Sequence, residues 1–242
     1  SAHLCMLPMP YTAEQISEAC LETVRANGLD ECYLRPIAFM GAGGMGIGTQ
    51  NPTQVSIIAW RWGAYLGDEG LKKGIRAKVS SFTRAGINSL MAKGKITGHY
   101  VSSIMAKREV LAAGYDEAIM LDPQGHVAEA SGENIFIVRD GAVSTPAPGG
   151  SLLGGLTRDT AIRIMRDMGI PVTERSISRD ELYIADEMFM VGTAAEVTPV
   201  REVDHRQIGS GSRGPITEKV QDAYFDVVKG KTVIDESWLS YV

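Results

Sequence analysis

Apolar residues three and four apart open the chain. Ile16, Ala19, Cys20 and Val24 share one helical stripe, Thr12 and Gln15 form a capping box ahead of it, and Asn27-Gly28 supplies the stop. Two β-like runs follow at 32–40 and 55–62, separated by Gly41-Ala42-Gly43-Gly44-Met45-Gly46-Ile47-Gly48, too rich in glycine for helix or strand. Residues 62–70 read as a linker carrying the aromatics Trp62 and Tyr65. Ile75, Ala77 and Val79 then alternate as in a strand. Residues 100–113 predict a helix with Val101, Ile104, Met105 and Leu111 inward and Gly114 as the stop. Runs at 118–122, 127–130, 135–138 and 142–144, with turn signals between them, read as a β-meander. A further helix opens at Thr157 and ends at Gly169 before Pro171, and 187–191 reads as a buried strand running into Gly192-Thr193. The last helix starts near Pro215 and is expected to bury Val220, Ala223, Tyr224 and Val227. The predicted class is mixed α/β (α+β): the remainder of a small N-terminal lobe at 1–62, a linker at 63–73 and a larger lobe at 74–242.

Composition narrows the function classes. The chain has 242 residues, 44% of them hydrophobic, enough to bury a sizeable core. Lys and Arg number 24 against 29 Asp and Glu, a net charge of -5. That balance argues against a nucleic-acid partner, which normally meets a basic face, and allows an anionic ligand held by a local site. No apolar run reaches the roughly 18 residues of a membrane span, so no membrane partner is expected. The start lacks the features of a signal peptide, and three cysteines without CxxC spacing argue against a disulfide framework or a metal site. A reducing, cytoplasmic setting is the expectation.

No HExxH, GxSxG, P-loop or well-placed GxGxxG is present, so chemistry has to come from a constellation. Two segments suit an anion. The run Gly149-Gly150-Ser151-Leu152-Leu153-Gly154-Gly155-Leu156-Thr157-Arg158 feeds a helix, where free N–H groups and the helix dipole converge. In Gly192-Thr193-Ala194-Ala195, small residues let backbone N–H groups approach a ligand. Taken alone, each reads more readily as a tight turn with a Thr cap. Lys93 and Lys95 flank Gly94 ahead of Ile96-Thr97-Gly98-His99-Tyr100, where loop lysines are usually solvated but small residues and an aromatic follow. Glu129, where the meander turns, points either to water or inward.

Taken together, Lys95-x-x-Gly98-x-Tyr100, Glu129-Ala130-Ser131-Gly132-Glu133-Asn134, Leu153-Gly154-Gly155-Leu156-Thr157-Arg158 and Gly192-Thr193-Ala194-Ala195-Glu196-Val197-Thr198-Pro199-Val200 resemble, in order and spacing, the class IV (fold type IV) pyridoxal-phosphate aminotransferases, and most closely the branched-chain amino acid aminotransferases. The resemblance runs over nearly the whole chain. It implies a two-lobed fold, pyridoxal 5'-phosphate as cofactor, and amino acids and 2-oxo acids as small-molecule partners. It implies Lys95 as the lysine that bonds the cofactor aldehyde, with Lys93 its rival, and Tyr100 as partner of the ring hydroxyl. Glu129 would pair with the ring nitrogen, Leu153 would pack on the ring, and Leu156, Thr157, Gly192 and Thr193 would hold the phosphate. Tyr33, Arg35 and Ala194 would help hold the substrate carboxylate, and Trp62 and Tyr65 would line the side-chain pocket, although lobe packing explains these aromatics equally well. The loop Gly44-Met45-Gly46-Ile47 resembles one that reaches a neighbouring subunit, so a homodimer or higher homo-oligomer is expected.

Such enzymes need a base. A free lysine near pKa ~10.4 is a poor one, and burial beside a cationic cofactor should lower it. The implied reaction converts leucine, isoleucine and valine with 2-oxoglutarate into branched-chain 2-oxo acids and L-glutamate. Alternatives are a D-amino acid aminotransferase or aminodeoxychorismate lyase of the same fold, or an inactive remnant that only binds or scaffolds. Two departures stand out. His99 replaces the usual Asn, and nothing here matches the phosphate-gripping arginine that family members carry in a stretch preceding the position of Ser1. A chain without that stretch is expected to bind the cofactor weakly and transaminate poorly.

Overall fold

Thr12 caps the first helix as its sequence requires: its side chain accepts from Gln15 N while the Gln15 side chain accepts from Thr12 N. The helix, α1 (Ala13–Asn27), ends at Gly28 in the left-handed region (φ 56°). It packs on a two-stranded antiparallel sheet of β1 (Tyr33–Met40) and β2 (Thr53–Trp60), with Tyr33 opposite Trp60. The computed structural model describes residues 1–63 and 65–242 and divides them into two compact units. One is Ser1–Gly63 with Ile234–Val242, and the other is Ala64–Val233. By packing, the C-terminal nine residues thus go with the first unit.

A 3₁₀ turn, Glu236–Trp238, also belongs to the first unit; the other described helices and strands lie in the second. In chain order it comprises α2 (Asp68–Lys73), β3 (Ile75–Val79), α3 (Tyr100–Ala112), β4 (Glu117–Leu121), β5 (Val127–Ala130), β6 (Asn134–Arg139), β7 (Ala142–Pro146), α4 (Leu156–Asp167), β8 (Val172–Arg175), α5 (Arg179–Tyr183), β9 (Glu187–Gly192), β10 (Glu196–Val203), β11 (Arg206–Gln207) and α6 (Pro215–Val228). A short helix, α2, therefore lies inside the expected linker. Among the described residues nine strands make one mixed sheet in the order β5-β4-β3-β10-β9-β6-β7-β8, with β11 on β10.

The expected meander is corrected by this order. β4–β5 and β6–β7 are separate hairpins, with β3, β10 and β9 between them. Laid flat, five strand spacings would put β5 about 24 Å from β6. The turn joining them, residues 131–133, can reach no more than about 15 Å from Ala130 to Asn134. The sheet has to curl, and β10 is where it does so. Its first half pairs antiparallel with β9 (Glu196–Pro199) and its second half parallel with β3, with a register shift between Val200 and Glu202. Pro199, with no N–H for a ladder, sits at this change of partner. The core lies along the curl: Ile75, Ile119, Ile135, Met188, Met190 and Val200 are all buried.

The face of α3 is a second correction. Val101, Ile104, Met105 and Leu111, expected inward, are 46–60% exposed, whereas Ser103, Ala106 and Val110 are buried. The small residues let the helix lie on β4 against Ala118 and Met120. The inward polar groups find partners: Ser103 accepts from Arg84, and Glu109 accepts from the Ser80 and Ser81 hydroxyls. In α6, Val220 and Tyr224 are buried as expected, while Ala223 and Val227 are half-buried.

At the start of α6 the buried Glu187 carboxylate accepts from the backbone N–H of Ile216 and Thr217 and from the Thr217 hydroxyl. A Cβ on Gly214 would fall 2.2 Å from Glu187 Cδ. Gly214→Ala is therefore expected to push Glu187 off its donors and destabilise the chain by about 1–3 kcal/mol, read as a lower urea midpoint; an unchanged midpoint would contradict this packing.

Candidate active site

Beyond β3 the chain runs through Lys95 into a single 3₁₀ turn, Thr97–His99, and directly into α3 at Tyr100. This tight entry turns two residues five apart onto each other: Lys95 Nζ donates to Tyr100 Oη at 2.8 Å. Both line a cavity of about 340 Å³, open mouth included, and so do Glu129 from β5, Gly132 from the turn that closes the curl, Leu153 and Arg84. The lysine and the glutamate named from the sequence therefore share one cavity.

Glu129 is 6% exposed and heavily partnered. Its Oε1 pairs with Arg84 Nη2 at 2.8 Å. Its Oε2 accepts from Leu153 N at 3.0 Å and from Asn134 Nδ2 at 3.2 Å. Asn134 Nδ2 also donates to Leu153 O at 2.9 Å. A Cβ on Gly155 would fall 2.4 Å from Asn134 Oδ1, so the glycine makes room for the amide that orients Glu129. Burial pushes the Glu129 carboxyl up to about 7, outweighing the downward pull of Arg84, the Leu153 N–H, Lys93 and Lys95. Neighbouring Glu133 is also raised, by burial and by the charge of Glu117.

The phosphate candidates adjoin this turn. α4 begins at Gly155 with no side-chain cap, leaving the N–H groups of Leu156 and Thr157 without intrahelical acceptors. Thr157 is buried, whereas Leu156 is 85% exposed. A Cβ on Gly192 would meet Gly132 O and the Glu133 side chain at ordinary contact distances of 3.4 and 3.5 Å, and three residues, Thr193-Ala194-Ala195, carry β9 into β10. The hairpin closes on Glu196 with φ 55°, a strained conformation for a residue with a Cβ.

Tyr65 belongs to the same unit and stands 5.3 Å from Lys107 Nζ, which pairs with Glu117. Burial, aided by Glu117 and Glu133, pushes its phenol up to about 12. Tyr33, Arg35 and Trp62 belong to the first unit. Tyr33 packs 4.9 Å from Trp60 and 4.8 Å from Trp62, and the Arg35 guanidinium lies over all three rings at 5.3, 5.4 and 6.0 Å. Sequence reasoning missed Arg84, which no periodicity marks, and quoted Asn134 without seeing that it holds Glu129. Of the pair Gly154-Gly155, it is Gly155 that the Asn134 amide approaches; nothing lies within 4 Å of a Cβ on Gly154.

A family model described as amino-transferase class IV matches residues 1–203. A branched-chain-amino-acid aminotransferase of Pseudomonas aeruginosa is 49% identical over all of this chain and 79% of its own length, and that of Escherichia coli K12 is 44% identical with the same coverage. Among solved structures, the Escherichia coli branched-chain amino acid aminotransferase matches with TM-score 0.96 and 43% identity, over 99% of this chain and 80% of that one. A branched-chain amino acid aminotransferase from Thermobaculum terrenum, in its PLP-form, matches with TM-score 0.92 and 33% identity, over 99% of this chain and 78% of that one.

A carboxyl whose folded pKa is raised binds its proton more tightly folded than unfolded. Glu129 therefore favours the fold below its unfolded value near 4.5 and loses that contribution as pH rises through about 7. The urea midpoint of the ligand-free chain is expected to fall between about pH 5 and pH 8, and Glu129→Gln to flatten that slope; an equally steep slope in the variant would contradict the burial account.

Proposed function

Since the chain belongs to the class IV aminotransferases, we propose that it transfers the amino group of leucine, isoleucine and valine to 2-oxoglutarate, giving branched-chain 2-oxo acids and L-glutamate, with pyridoxal 5'-phosphate as cofactor. The observation that carries this reading is the shared cavity of Lys95, Tyr100 and a buried, cation-paired Glu129. The donor set suits such a cofactor: an amine, a phenol beside it, a buried carboxylate and an uncapped helix start for an anion. When bound, the cofactor supplies an electron sink that acidifies the substrate Cα–H.

Lys95 Nζ would hold the cofactor by condensing with its aldehyde with loss of water, and its freed amine would serve as the base that removes the proton from the substrate Cα. Tyr100 Oη keeps that amine aimed into the cavity. Glu129 meets the ring nitrogen, and a proton placed between them finds a counter-charge held in position by Arg84, Asn134 and the Leu153 N–H. Leu153 packs on the ring. Leu156, Thr157, Gly192 and Thr193 would hold the phosphate, largely through backbone N–H groups, and so position the cofactor. Within the larger unit, Ala194 would help hold the substrate carboxylate and Tyr65 would line an apolar side-chain pocket. In this reading residues 1–62 and the segment from 74 to 233 act as lobes, with 63–73 as the linker.

No helix among the described residues is long and apolar enough to cross a membrane. Three free cysteines support a reducing, cytoplasmic setting. Fully exposed Met45 and Ile47, together with the bare apolar face of α3, support a homodimer or higher homo-oligomer. The branched-chain names of relatives at 44–49% identity favour this substrate class over D-amino acids or aminodeoxychorismate.

At saturating cofactor, L-leucine is expected to turn over with 2-oxoglutarate and D-alanine not. Lys95→Ala should lower kcat by roughly 10²–10⁴-fold or more and remove the borohydride-stable pyridoxyl mark, whereas Lys93→Ala should keep it. Turnover of D-alanine alone, or a mark on Lys93, would overturn the assignment.

A further inference from the structure

The loop 147–155 between β7 and α4 has no regular structure of its own, yet Ser151 and Leu152 within it are almost fully buried. Its carbonyls therefore need donors from elsewhere. Three of them, those of Pro148, Gly150 and Leu152, converge on one atom, Lys93 Nζ, with the last two at 3.1 and 3.0 Å. The ammonium has three protons and three acceptors, so its donor capacity is filled. The carbonyl between, Ser151 O, takes the Arg84 Nε proton at 3.4 Å from the other side. Just before the loop, Pro146 O accepts from Arg158. The loop is thus strung between cations, and Leu153, near its end, gives its N–H to Glu129 Oε2.

We propose that Lys93 is a positioning residue: by gathering the Pro148, Gly150 and Leu152 carbonyls it fixes the loop so that the Leu153 N–H holds the Glu129 carboxylate in place. This rests on the proposed aminotransferase reading for its consequence, since Glu129 is there the partner of the ring nitrogen. It also divides the two neighbouring lysines by task. Lys95 turns into the cavity toward Tyr100, while Lys93 spends its donors on the loop behind Leu153.

The charged and titratable groups acting on Glu129 are Arg84, Lys93, Lys95 and Glu133. Removing Lys93 takes away one nearby positive charge and loosens one hydrogen bond, and both changes weaken the ionised form of Glu129.

The test follows the side-chain carboxyl of Glu129 by ¹³C NMR through a pH titration of the ligand-free chain. Lys93→Met is expected to raise its midpoint by about one pH unit and to shift the Leu153 amide resonance, while Lys93→Arg, which keeps charge and donors, restores both. A Lys93→Met chain with the original midpoint and Leu153 amide, whatever its melting temperature, would overturn the proposal. Should that variant fail to fold, the unaltered chain decides. A slowly exchanging Lys93 Nζ resonance with couplings to the three carbonyls supports the clamp, and an ammonium exchanging like a solvated lysine overturns it. Failure of the aminotransferase reading appears separately, as a missing pyridoxyl mark on Lys95 in the original chain.

Discussion

A carboxylate carried out of water has to be met by donors, and Glu129 is met from three directions at once. Arg84 comes from the segment after β3, Asn134 from the start of β6, and the Leu153 N–H from the loop before α4. None of these elements neighbours the others in sequence, so the pairing exists only when the curled sheet and its loops are all in place. Even so, burial outweighs the donors and leaves the group poised near neutrality. Such a group responds strongly to one further positive charge, which suits it to hold a protonated ring nitrogen.

The need to curl the sheet explains why this site lies where it does. The three-residue turn between β5 and β6 spans the seam of the curl, and the cavity forms beside it. Glu129 precedes the turn, Asn134 follows it, and Gly192 packs against its middle. Pro199 sits where β10 changes partner from β9 to β3.

Local signals were legible in proportion to how local their cause is. The Thr12–Gln15 box and Gly28 determine α1 through contacts within four residues, and the prediction matches the element. Strand β10 escaped notice because Pro199, Arg201 and Glu202 interrupt its apolar pattern, and its pairing with β3 bridges more than 120 residues. The inward face of α3 was misread because its small and polar residues serve Arg84, Ser80 and Ser81, partners invisible to helical periodicity, while its larger apolar side chains stay exposed. At the site, Lys95, Tyr100 and Glu129 were named because four spaced motifs resemble one family. Arg84 was not, because nothing about a single arginine after a strand announces the carboxylate waiting 45 residues further along the chain.

The most direct measurement is the ¹⁵N chemical shift of the pyridine nitrogen in labelled cofactor bound to the chain, followed at about pH 8, where an unpaired pyridine nitrogen would have lost its proton. If Glu129 is its partner, the shift is that of a protonated ring and moves to the neutral value in Glu129→Gln. A neutral-ring shift in the unaltered chain, or a protonated one that persists in the variant, would contradict the account.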